Sequence, residues 1–247
     1  MPPNPQDAIG HWGTSATLGT RLSGGNRSDV WAAEVDGRRS TLRRSRRSPE
    51  AIDWELDLVQ FLGSNGIEVP AVIPAASGGR RWDTFFVLSW IDGLPPATDG
   101  DWRDVARTLE RVHALTRAWR QRPTFASTVD LLTRDAGGDV DLTLMSAEAV
   151  ERCRDAWKPL ASMNQSAIHG DPRGNALMTN SGVALIDWDE ALVDASILDL
   201  AGLPGDHAPP AELAIARRGA SAWEAAASWS LEPAYARRRL AELTDGS

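Results

Sequence analysis

The segment from Ile168 to Asp189 constrains this chain more than any other. It begins with a polar loop, His169 to Asn175, that contains a carboxylate and a carboxamide, and it ends with further carboxylates, of which Asp187 is the first. Between these groups, two short apolar runs flank Asn180-Ser181-Gly182, which predicts a β-hairpin. A hairpin returns the chain to where it started, so the polar groups are expected at the same end of it.

These residue types suit the transfer of a phosphoryl group. The transferred group carries its charge on oxygen atoms, so a protein must orient the attacking hydroxyl and hold Mg²⁺ against the phosphates. Asp171 is the candidate base for the hydroxyl proton, and Asn175 and Asp187 offer the hard oxygen ligands that Mg²⁺ prefers. The segment therefore predicts a magnesium-dependent phosphoryl-transfer site.

Three parts of the segment, His169-Gly170-Asp171, Asn175 and Ile186-Asp187-Trp188, resemble the signatures of the aminoglycoside phosphotransferase and choline kinase superfamily. The resemblance extends over residues 17 to 203. It implies an α+β, protein-kinase-like bilobal fold. The small N-terminal lobe would hold an antiparallel sheet and one helix, and the larger C-terminal lobe would be mainly helical.

The resemblance also places the two lobes along the chain. The nucleotide-binding lobe is expected at residues 1–92, with 1–12 as a loose tail, and the catalytic and acceptor-binding lobe at residues 93–247. Asp199 is expected on or before a helix that runs to Leu203, and His169 and Asp199 are the implied structural supports of the catalytic loop. His113, on a predicted helix, is interpreted as a buttress rather than a catalyst.

The catalytic loop departs from the kinase pattern in length. Kinases leave four residues between the catalytic aspartate and the asparagine, whereas Asp171 and Asn175 enclose only Pro172, Arg173 and Gly174. Two outcomes stay open. The loop takes a tighter path, helped by its proline and glycine, or its asparagine reaches the metal less well.

Three strands are predicted near the N-terminus, at 17–22, 29–35 and 38–43, with a glycine-containing turn after the first. The resemblance implies that this turn covers the nucleotide phosphates, because glycine lets backbone N–H groups approach them closely. The implied nucleotide-binding residues of the turn are Gly24, Gly25, Asn26 and Ser28.

An arginine replaces the lysine that kinases place on the third strand and pair with a glutamate on the following helix. The only lysine of this chain, Lys158, is far from that strand in sequence. Strand alternation makes Arg43 the inward group, and its guanidinium suits phosphate. Glu55 is the implied partner, with Asp53 and Asp57 as alternatives, and a solvent-facing Glu55 also stays open.

The apolar run 84–90 predicts a strand and resembles the one that leads to the purine-binding hinge. The resemblance implies that Leu88 lies behind the base and that Ser89 and Ile91 present backbone groups to it. An ordinary buried strand fits the same pattern.

Candidate acceptor-binding residues carry carboxylates, which suit a cationic acceptor, or aromatic rings, which suit rings or ammonium groups. They are Asp189, Glu190, Trp223 and Glu224, although acidic side chains on terminal helices are usually solvated and tryptophans usually pack.

Charge and composition narrow the class of protein. The net charge of −8 argues against general nucleic-acid binding, although six arginines form a dense basic patch between Arg38 and Arg47. No apolar run approaches the length of a membrane span. The single cysteine, Cys153, excludes an internal disulfide and suits a cytoplasmic protein. Lysine is scarce and arginine abundant, which suggests a bacterial source. A monomer or homodimer is expected.

The sequence thus predicts a small-molecule O-phosphotransferase that moves the γ-phosphate of ATP or GTP to an acceptor hydroxyl. An aminoglycoside or other cationic antibiotic is the favoured acceptor, which would make the reaction one of resistance by inactivation. A kinase of an amino alcohol, sugar, macrolide or peptide antibiotic is an alternative. So is a nucleotide-binding pseudokinase, motivated by the short loop and the arginine. A protein kinase is disfavoured because no long activation segment follows Asp187.

Overall fold

A computed structural model describes residues 3–22 and 28–243 of the chain. The predicted nucleotide-binding residues Gly24, Gly25 and Asn26 lie outside this described part. The chain forms two compact units: the first comprises Met1–Pro95 and Ala176–Asp189, and the second comprises Pro96–Asn175 and Glu190–Ser247. This division differs from the predicted continuous lobes, because the segment that ends at Asp189 packs with the N-terminal unit despite its distance in sequence.

An antiparallel sheet is the centre of the first unit. Its strands are β1 (Thr17–Arg21), β2 (Ser28–Val35), β3 (Arg38–Ser45), β4 (Val72–Ile73), β5 (Arg81–Trp82) and β6 (Phe85–Ser89). The order across the sheet is β1-β2-β3-β6-β4, and β5 also pairs with β6. The predicted first three strands and the strand before the hinge are confirmed within one or two residues.

Both faces of the central strand β6 are covered, and strand alternation assigns its residues to them. Phe86 and Leu88 pack against Ile52 and Leu56 of helix α2 (Pro49–Ser64). Ser48 caps this helix by accepting a hydrogen bond from the Ala51 N–H, and Pro49 suits its first position. The opposite face of β6, with Phe85 and Val87, belongs to a separate apolar cluster.

The N-terminal segment covers that opposite face. Helix α1 (Pro5–Ile9) continues into a 3-10 helix (Gly10–Trp12), and Ile9 and Trp12 are buried against the sheet. The prediction of a loose tail over residues 1–12 is therefore wrong for residues 5–12. The physical reason is that the outer face of β6 needs an apolar cover, which these side chains supply.

Replacing Trp12 with alanine is expected to lower the free energy of unfolding by about 3–5 kcal/mol. The indole is buried, and its Nε1–H donates to the Ile73 carbonyl at 2.8 Å, so truncation removes packing and leaves an acceptor unpaired. Urea unfolding measures the change. His11→Ala is the matched control because His11 is exposed and stacks on Trp82 at the surface. Equal losses in the two variants would contradict a core role for Trp12.

The predicted hairpin is confirmed. Strands β10 (Ala176–Thr179) and β11 (Gly182–Leu185) pair from Ala176↔Leu185 to Thr179↔Gly182. The hairpin is tied to the rest of the first unit by backbone hydrogen bonds between Leu94 and Met178 of 3.0 and 2.7 Å. The Glu68 carboxylate also accepts hydrogen bonds from the Thr179 and Ser181 hydroxyls at 2.7 Å.

The second unit is mainly helical. Its α-helices are α3 (Asp99–Leu115), α4 (Ala147–Trp157), α5 (Pro172–Asn175), α6 (Pro210–Ala227) and α7 (Pro233–Ala241). Its strands are β7 (Ala136–Gly137), β8 (Val140–Asp141), β9 (Gln165–Ile168) and β12 (Leu192–Ala195), and they form the antiparallel pairs β7–β8 and β9–β12. Trp157 is fully buried in the core between α4 and α6, and its indole N–H donates to the Gly219 carbonyl at 3.2 Å.

Asp199 lies in a 3-10 helix, Ser196–Leu200, directly after β12. The expected helix running to Leu203 is thus a short 3-10 turn that stops at Leu200. Among the described residues, no helix has the length and apolarity that a membrane span requires.

Candidate active site

The catalytic loop begins where β9 ends, and Asp199 holds its first residues. The Asp199 carboxylate accepts hydrogen bonds from the backbone N–H groups of His169 and Gly170, each at 2.9 Å. β12 pairs with β9, with Leu192 opposite Ile168, and the 3-10 turn that contains Asp199 follows β12 directly. This pairing therefore positions Asp199 beside the start of the loop. Two backbone donors bound by one carboxylate fix the path of the chain immediately before Asp171.

His113 of α3 completes this support. Its Nε2 lies 2.8 Å from Asp199 Oδ2, and both side chains are buried. Burial alone would raise the pKa of Asp199, but the hydrogen bond and charge of His113, with the His169 backbone, outweigh burial and lower the pKa below its usual value. Asp199 is therefore an ionised buried carboxylate whose partners all belong to the catalytic loop or its supporting helix.

Gly170 allows the tight turn between Asp199 and Asp171. Its φ is +89°, and a Cβ added there would lie 2.8 Å from the Glu190 carbonyl oxygen. Glu190, a predicted acceptor-binding residue, therefore backs the catalytic loop with its own backbone. Only glycine fits this combination of left-handed backbone and close approach.

Gly170→Ala is expected to lower the free energy of unfolding by about 1–3 kcal/mol, because the new methyl group meets backbone in a strained conformation. Gly174→Ala is the matched control in the same loop. Its added Cβ would have Asp171 Oδ2 as its nearest neighbour, at 3.8 Å, and it lies in helix α5, where alanine is favoured. Denaturant unfolding of both variants checks this; equal stability would contradict the close approach.

The shortened loop closes as a single helical turn. Residues Pro172–Asn175 form α5, and Asn175 Nδ2 donates to the Asp171 backbone carbonyl at 2.8 Å and to Asp171 Oδ2 at 3.3 Å. Side chains four residues apart share one face of a helix, so three intervening residues bring Asp171 and Asn175 together. Of the two outcomes left open by the sequence, the structure has the tighter path. Asp171 is exposed, as a base that meets a substrate must be.

A second group of polar residues lies in the first unit, around Arg43. In the pairing of β2 with β3, Val30 is opposite Arg43 and Ser28 is opposite Ser45, so Ser28 and Arg43 share a face. Arg43 Nη2 donates to Ser28 Oγ at 3.1 Å and to the Asp187 carboxylate. Its buried side chain agrees with the inward direction predicted from strand alternation.

Asp189 belongs to the same group. Its Oδ2 accepts a hydrogen bond from Ser28 Oγ at 3.1 Å and lies 3.7 Å from Arg43 Nη2. Ser28 thus bridges the guanidinium and the carboxylate. Asp189 is therefore buried beside Arg43, and its acceptor role stays a prediction. Sequence reasoning missed this arrangement because Ser28 and Asp189 are 161 residues apart.

Asp187 has a backbone conformation that is rare for residues other than glycine. Its φ is +61°, within the left-handed region. Such conformations cost free energy and persist where the surroundings enforce them, which is common at functional sites. Here the turn after β11 carries Asp187 and Asp189 to the same guanidinium.

The electrostatics of this group favour a divalent cation. Burial lowers the pKa of Arg43, but the charges of Asp187, Glu55 and Asp189 outweigh it and raise the pKa overall. Burial is the largest effect on the pKa of Asp189, and the negative charge of Asp187 is the next. Together they raise this pKa to about 6, although the charge of Arg43 lowers it. Glu55 is buried, not solvent-facing. Three carboxylates therefore act on one guanidinium.

The donor set also fits Mg²⁺. No cluster of three or more His, Cys, Asp or Glu side chains within 3–22 and 28–243 is arranged as a metal cage. Magnesium in phosphoryl-transfer sites does not need one, since it is bound by one or two carboxylates and by substrate phosphates. The Asp187 side chain is partly exposed, and its carboxylate oxygens are anionic ligands. It can therefore hold such an ion.

Arg43→Met is expected to lower the free energy of unfolding by about 3–5 kcal/mol, because it leaves buried carboxylates without their cation. Arg44→Met, at the next position of β3, is the matched control. Arg44 has no ion pair within the described part of the chain, so its loss should cost little. Urea unfolding at neutral pH measures both. A loss below about 1 kcal/mol at Arg43 would contradict the described pairing.

The other predicted site residues lie on the hinge strand and on α6. Leu88 is buried on β6. The Ser89 N–H donates to the Ala71 carbonyl at 2.8 Å, and the Ala71 N–H donates to the Ser89 hydroxyl at 2.8 Å. The N–H of Ser89 is therefore already hydrogen-bonded. Ile91 makes no backbone hydrogen bond with another described residue.

Trp223 and Glu224 of α6 take part in packing. Trp223 lies against the apolar core of the second unit. Glu224 Oε2 is 2.7 Å from Arg239 Nε, and the Tyr235 hydroxyl donates to the same carboxylate. Burial and Glu224 raise the pKa of Tyr235 to about 12. The charge of Glu224 is thus paired with Arg239, and an acceptor contact at this residue stays a prediction.

Comparison with solved structures shows that the fold is the kinase-like fold of small-molecule phosphotransferases. Aminoglycoside phosphotransferase APH(4)-Ia is similar with a TM-score of 0.67 and 16% identity, over 94% of this chain and 95% of that one. The microcompartment-associated aminopropanol kinase has a TM-score of 0.63 and 18% identity, over 97% and 93%. Amicoumacin kinase hAmiN, in complex with AMP-PNP, Ca²⁺ and Ami, has a TM-score of 0.59 and 18% identity, over 92% and 80%.

The family follows from the sequence match. The phosphotransferase enzyme family matches residues 19–241, and this chain belongs to it. The predicted superfamily and the α+β kinase-like fold are thereby confirmed. No curated protein sequence matches the chain significantly.

Proposed function

We propose that this phosphotransferase moves the γ-phosphate of ATP or GTP to a hydroxyl group of a small molecule. The observation that carries the proposal is the group around Arg43, where one guanidinium and several carboxylates meet on the first unit. Such a group suits a substrate that brings both phosphates and a divalent cation. The supported catalytic loop supplies the remaining requirement, an exposed carboxylate in a fixed backbone.

Each residue has a defined part in this proposal. Asp171 accepts the proton of the attacking hydroxyl, and Asn175 and Asp187 hold Mg²⁺ through an amide oxygen and a carboxylate. When bound, the cation neutralises charge that develops on the transferred phosphate. Arg43 turns its forked guanidinium to the phosphates, and Ser28 and Asp189 hold it in place. The backbone of Ile91 and the carbonyl of Ser89, whose N–H is bonded to Ala71, receive the base together with Leu88. Gly24, Gly25 and Asn26 cover the phosphates.

We favour a cationic antibiotic of the aminoglycoside type as the acceptor. The support is analogy: one similar structure is a ternary complex of an APH(4)-Ia mutant with AMP-PNP and hygromycin B. Glu190 is the predicted acceptor residue that lies beside the catalytic loop, since its carbonyl oxygen would be 2.8 Å from a Cβ added at Gly170. Amino alcohols remain the alternative class, supported by the similarity to the aminopropanol kinase. Low identity does not decide between them.

A panel experiment tests the proposal. The purified protein is incubated with Mg²⁺ and either ATP or GTP, and with aminoglycosides, peptide antibiotics, macrolides or amino alcohols, while nucleotide consumption is followed. Consumption that depends on one acceptor class supports the proposal and names the substrate. Nucleotide binding without turnover on any acceptor would favour the pseudokinase, and absence of nucleotide binding would contradict both.

A further inference from the structure

Residues 121–128 of the second unit, which we call the bracing segment, are bonded to β12 through their side chains. The Gln121 carboxamide donates from Nε2 to the Val193 carbonyl at 2.8 Å and accepts from the Val193 N–H at 2.9 Å. One side chain thus satisfies both backbone groups of a strand residue, as a neighbouring strand would. Within the described part of the chain, β12 pairs with β9 and with no other strand. The bracing segment therefore takes the place of a second neighbour.

Two further side-chain contacts join the bracing segment to the same strand. The buried Arg122 donates from Nη1 to the Ala191 carbonyl at 3.0 Å. The backbone N–H and the hydroxyl of Thr128 donate to the buried Asp194 carboxylate at 2.7 and 2.6 Å. Together with the Gln121 contact, these bonds hold the strand at residues 191, 193 and 194, so its position depends on the bracing segment along most of its length.

A strained turn lies in the middle of the bracing segment. Thr124 has a φ of +68°, which is rare for a β-branched residue. The turn is enforced from outside, because the Thr124 carbonyl accepts from the Gly138 N–H at 2.7 Å and the Phe125 ring occupies the space that a side chain at Gly138 would need. Strain that the surroundings maintain is common at functional sites. The bracing segment is thus held in one conformation by the β7–β8 hairpin.

Both ends of β12 reach the catalytic loop. Just before the strand, the Glu190 carbonyl oxygen would lie 2.8 Å from a Cβ added at Gly170. Just after it, the Asp199 carboxylate accepts from the N–H groups of His169 and Gly170. The two contacts meet at the residue that precedes Asp171. A displacement of β12 would therefore disturb both supports of the candidate base.

We propose that Gln121 and Arg122 are positioning residues for the catalytic loop, and that they act on Asp171 through β12. Neither has to touch a substrate for this role. Position is critical at such a site, because misplacing a reacting group by about 1 Å can cost on the order of 10²-fold in rate. The effect on phosphate transfer rests on the proposed function, whereas the effect on the backbone of the loop does not.

Gln121→Glu tests the role on the full chain with little change in side-chain size. The variant keeps an acceptor for the Val193 N–H but replaces the donor to the Val193 carbonyl with an oxygen. Gln165→Glu is the matched control, because the partly buried Gln165 also donates from Nε2 to two backbone carbonyls, those of Leu160 and Met163, each at 3.2 Å. Gln121→Met and Gln165→Met repeat the comparison without adding a charge.

Two measurements are made on each variant. Hydrogen exchange of the His169 and Gly170 amides, which donate to Asp199, reports the backbone of the loop without any substrate. Steady-state kinetics, with the acceptor that stimulates nucleotide consumption most, gives kcat and the KM for the nucleotide. In the Gln121 variants we expect exchange at least about tenfold faster and kcat at least about tenfold lower, with KM within about twofold. The Gln165 variants should match the wild type in both measurements.

The outcomes separate this role from the proposed function. Faster exchange in the Gln121 variants alone supports the positional role even if the wild type shows no turnover, a result that would count against the proposed function only. Unchanged exchange in the Gln121 variants, or equal acceleration in the Gln165 variants, would overturn the proposal. Faster exchange with unchanged kcat in an active enzyme would also overturn it, because β12 would then support the fold without positioning Asp171.

Discussion

Asp171→Ala is expected to reduce phosphate transfer by about 10²- to 10⁴-fold while nucleotide affinity stays within about twofold, the behaviour of a missing general base. The side chain is exposed and accepts a hydrogen bond from the partly exposed Asn175 amide, so its removal leaves no buried group unpaired. The groups proposed to hold the phosphates and the base are on other segments. Steady-state kinetics and a nucleotide titration measure the two quantities.

Two further variants separate proton transfer from local structure. Asp171→Asn keeps an oxygen for the Asn175 amide but cannot accept the proton, so it should be nearly as inactive as the alanine variant. Asp206→Ala is the matched control, because Asp206 is an exposed carboxylate in the same unit whose side chain is 81% accessible. An asparagine variant with full activity would exclude Asp171 as the base.

Asp199→Ala is expected to lower the free energy of unfolding by about 3–5 kcal/mol and to abolish activity. The change leaves the N–H groups of His169 and Gly170 and the ring of His113 without their shared partner in a buried site. Denaturant unfolding monitored at neutral pH gives the free energy. Asp155→Ala, an exposed aspartate paired with Lys158 at the surface, should cost less than about 1 kcal/mol.

The pH dependence of this loss has a defined sign. Because the folded-state pKa of Asp199 is lowered, its ionised form contributes stability above the ordinary aspartate pKa, and that contribution is lost as the pH falls through the folded value. The difference in unfolding free energy between the wild type and Asp199→Ala should therefore shrink in acid. A difference that grows on acidification would contradict an ionised Asp199.

Local patterns in the sequence predicted the parts of the fold that depend on short-range geometry. The turn residues Asn180-Ser181-Gly182 were sufficient for the hairpin, and strand alternation was sufficient for the inward side chain of Arg43. The start of α2 has the same local character, because the Ser48 hydroxyl and Pro49 fit the first helical turn. Each of these features is decided within a few residues of chain.

Contacts between distant segments were beyond such patterns. The sequence placed Ser28 in the turn before the second strand, and no local pattern shows that it meets Asp189. The N-terminal helix was missed because five residues with two polar positions have too little periodicity, and its stability comes from the sheet that Ile9 and Trp12 cover. The partners of Glu224 were likewise invisible, since Arg239 lies on another helix.

The central claim is that the protein attaches phosphate to a small molecule. Mass spectrometry of the acceptor that stimulates nucleotide consumption most, after incubation with Mg²⁺ and ATP or GTP labelled at the γ-phosphate, tests it most directly. We predict a singly phosphorylated acceptor that carries the label, is formed by the wild type and is nearly absent with Asp171→Ala. Labelled inorganic phosphate as the sole product, or equal product from the variant, would contradict the assignment.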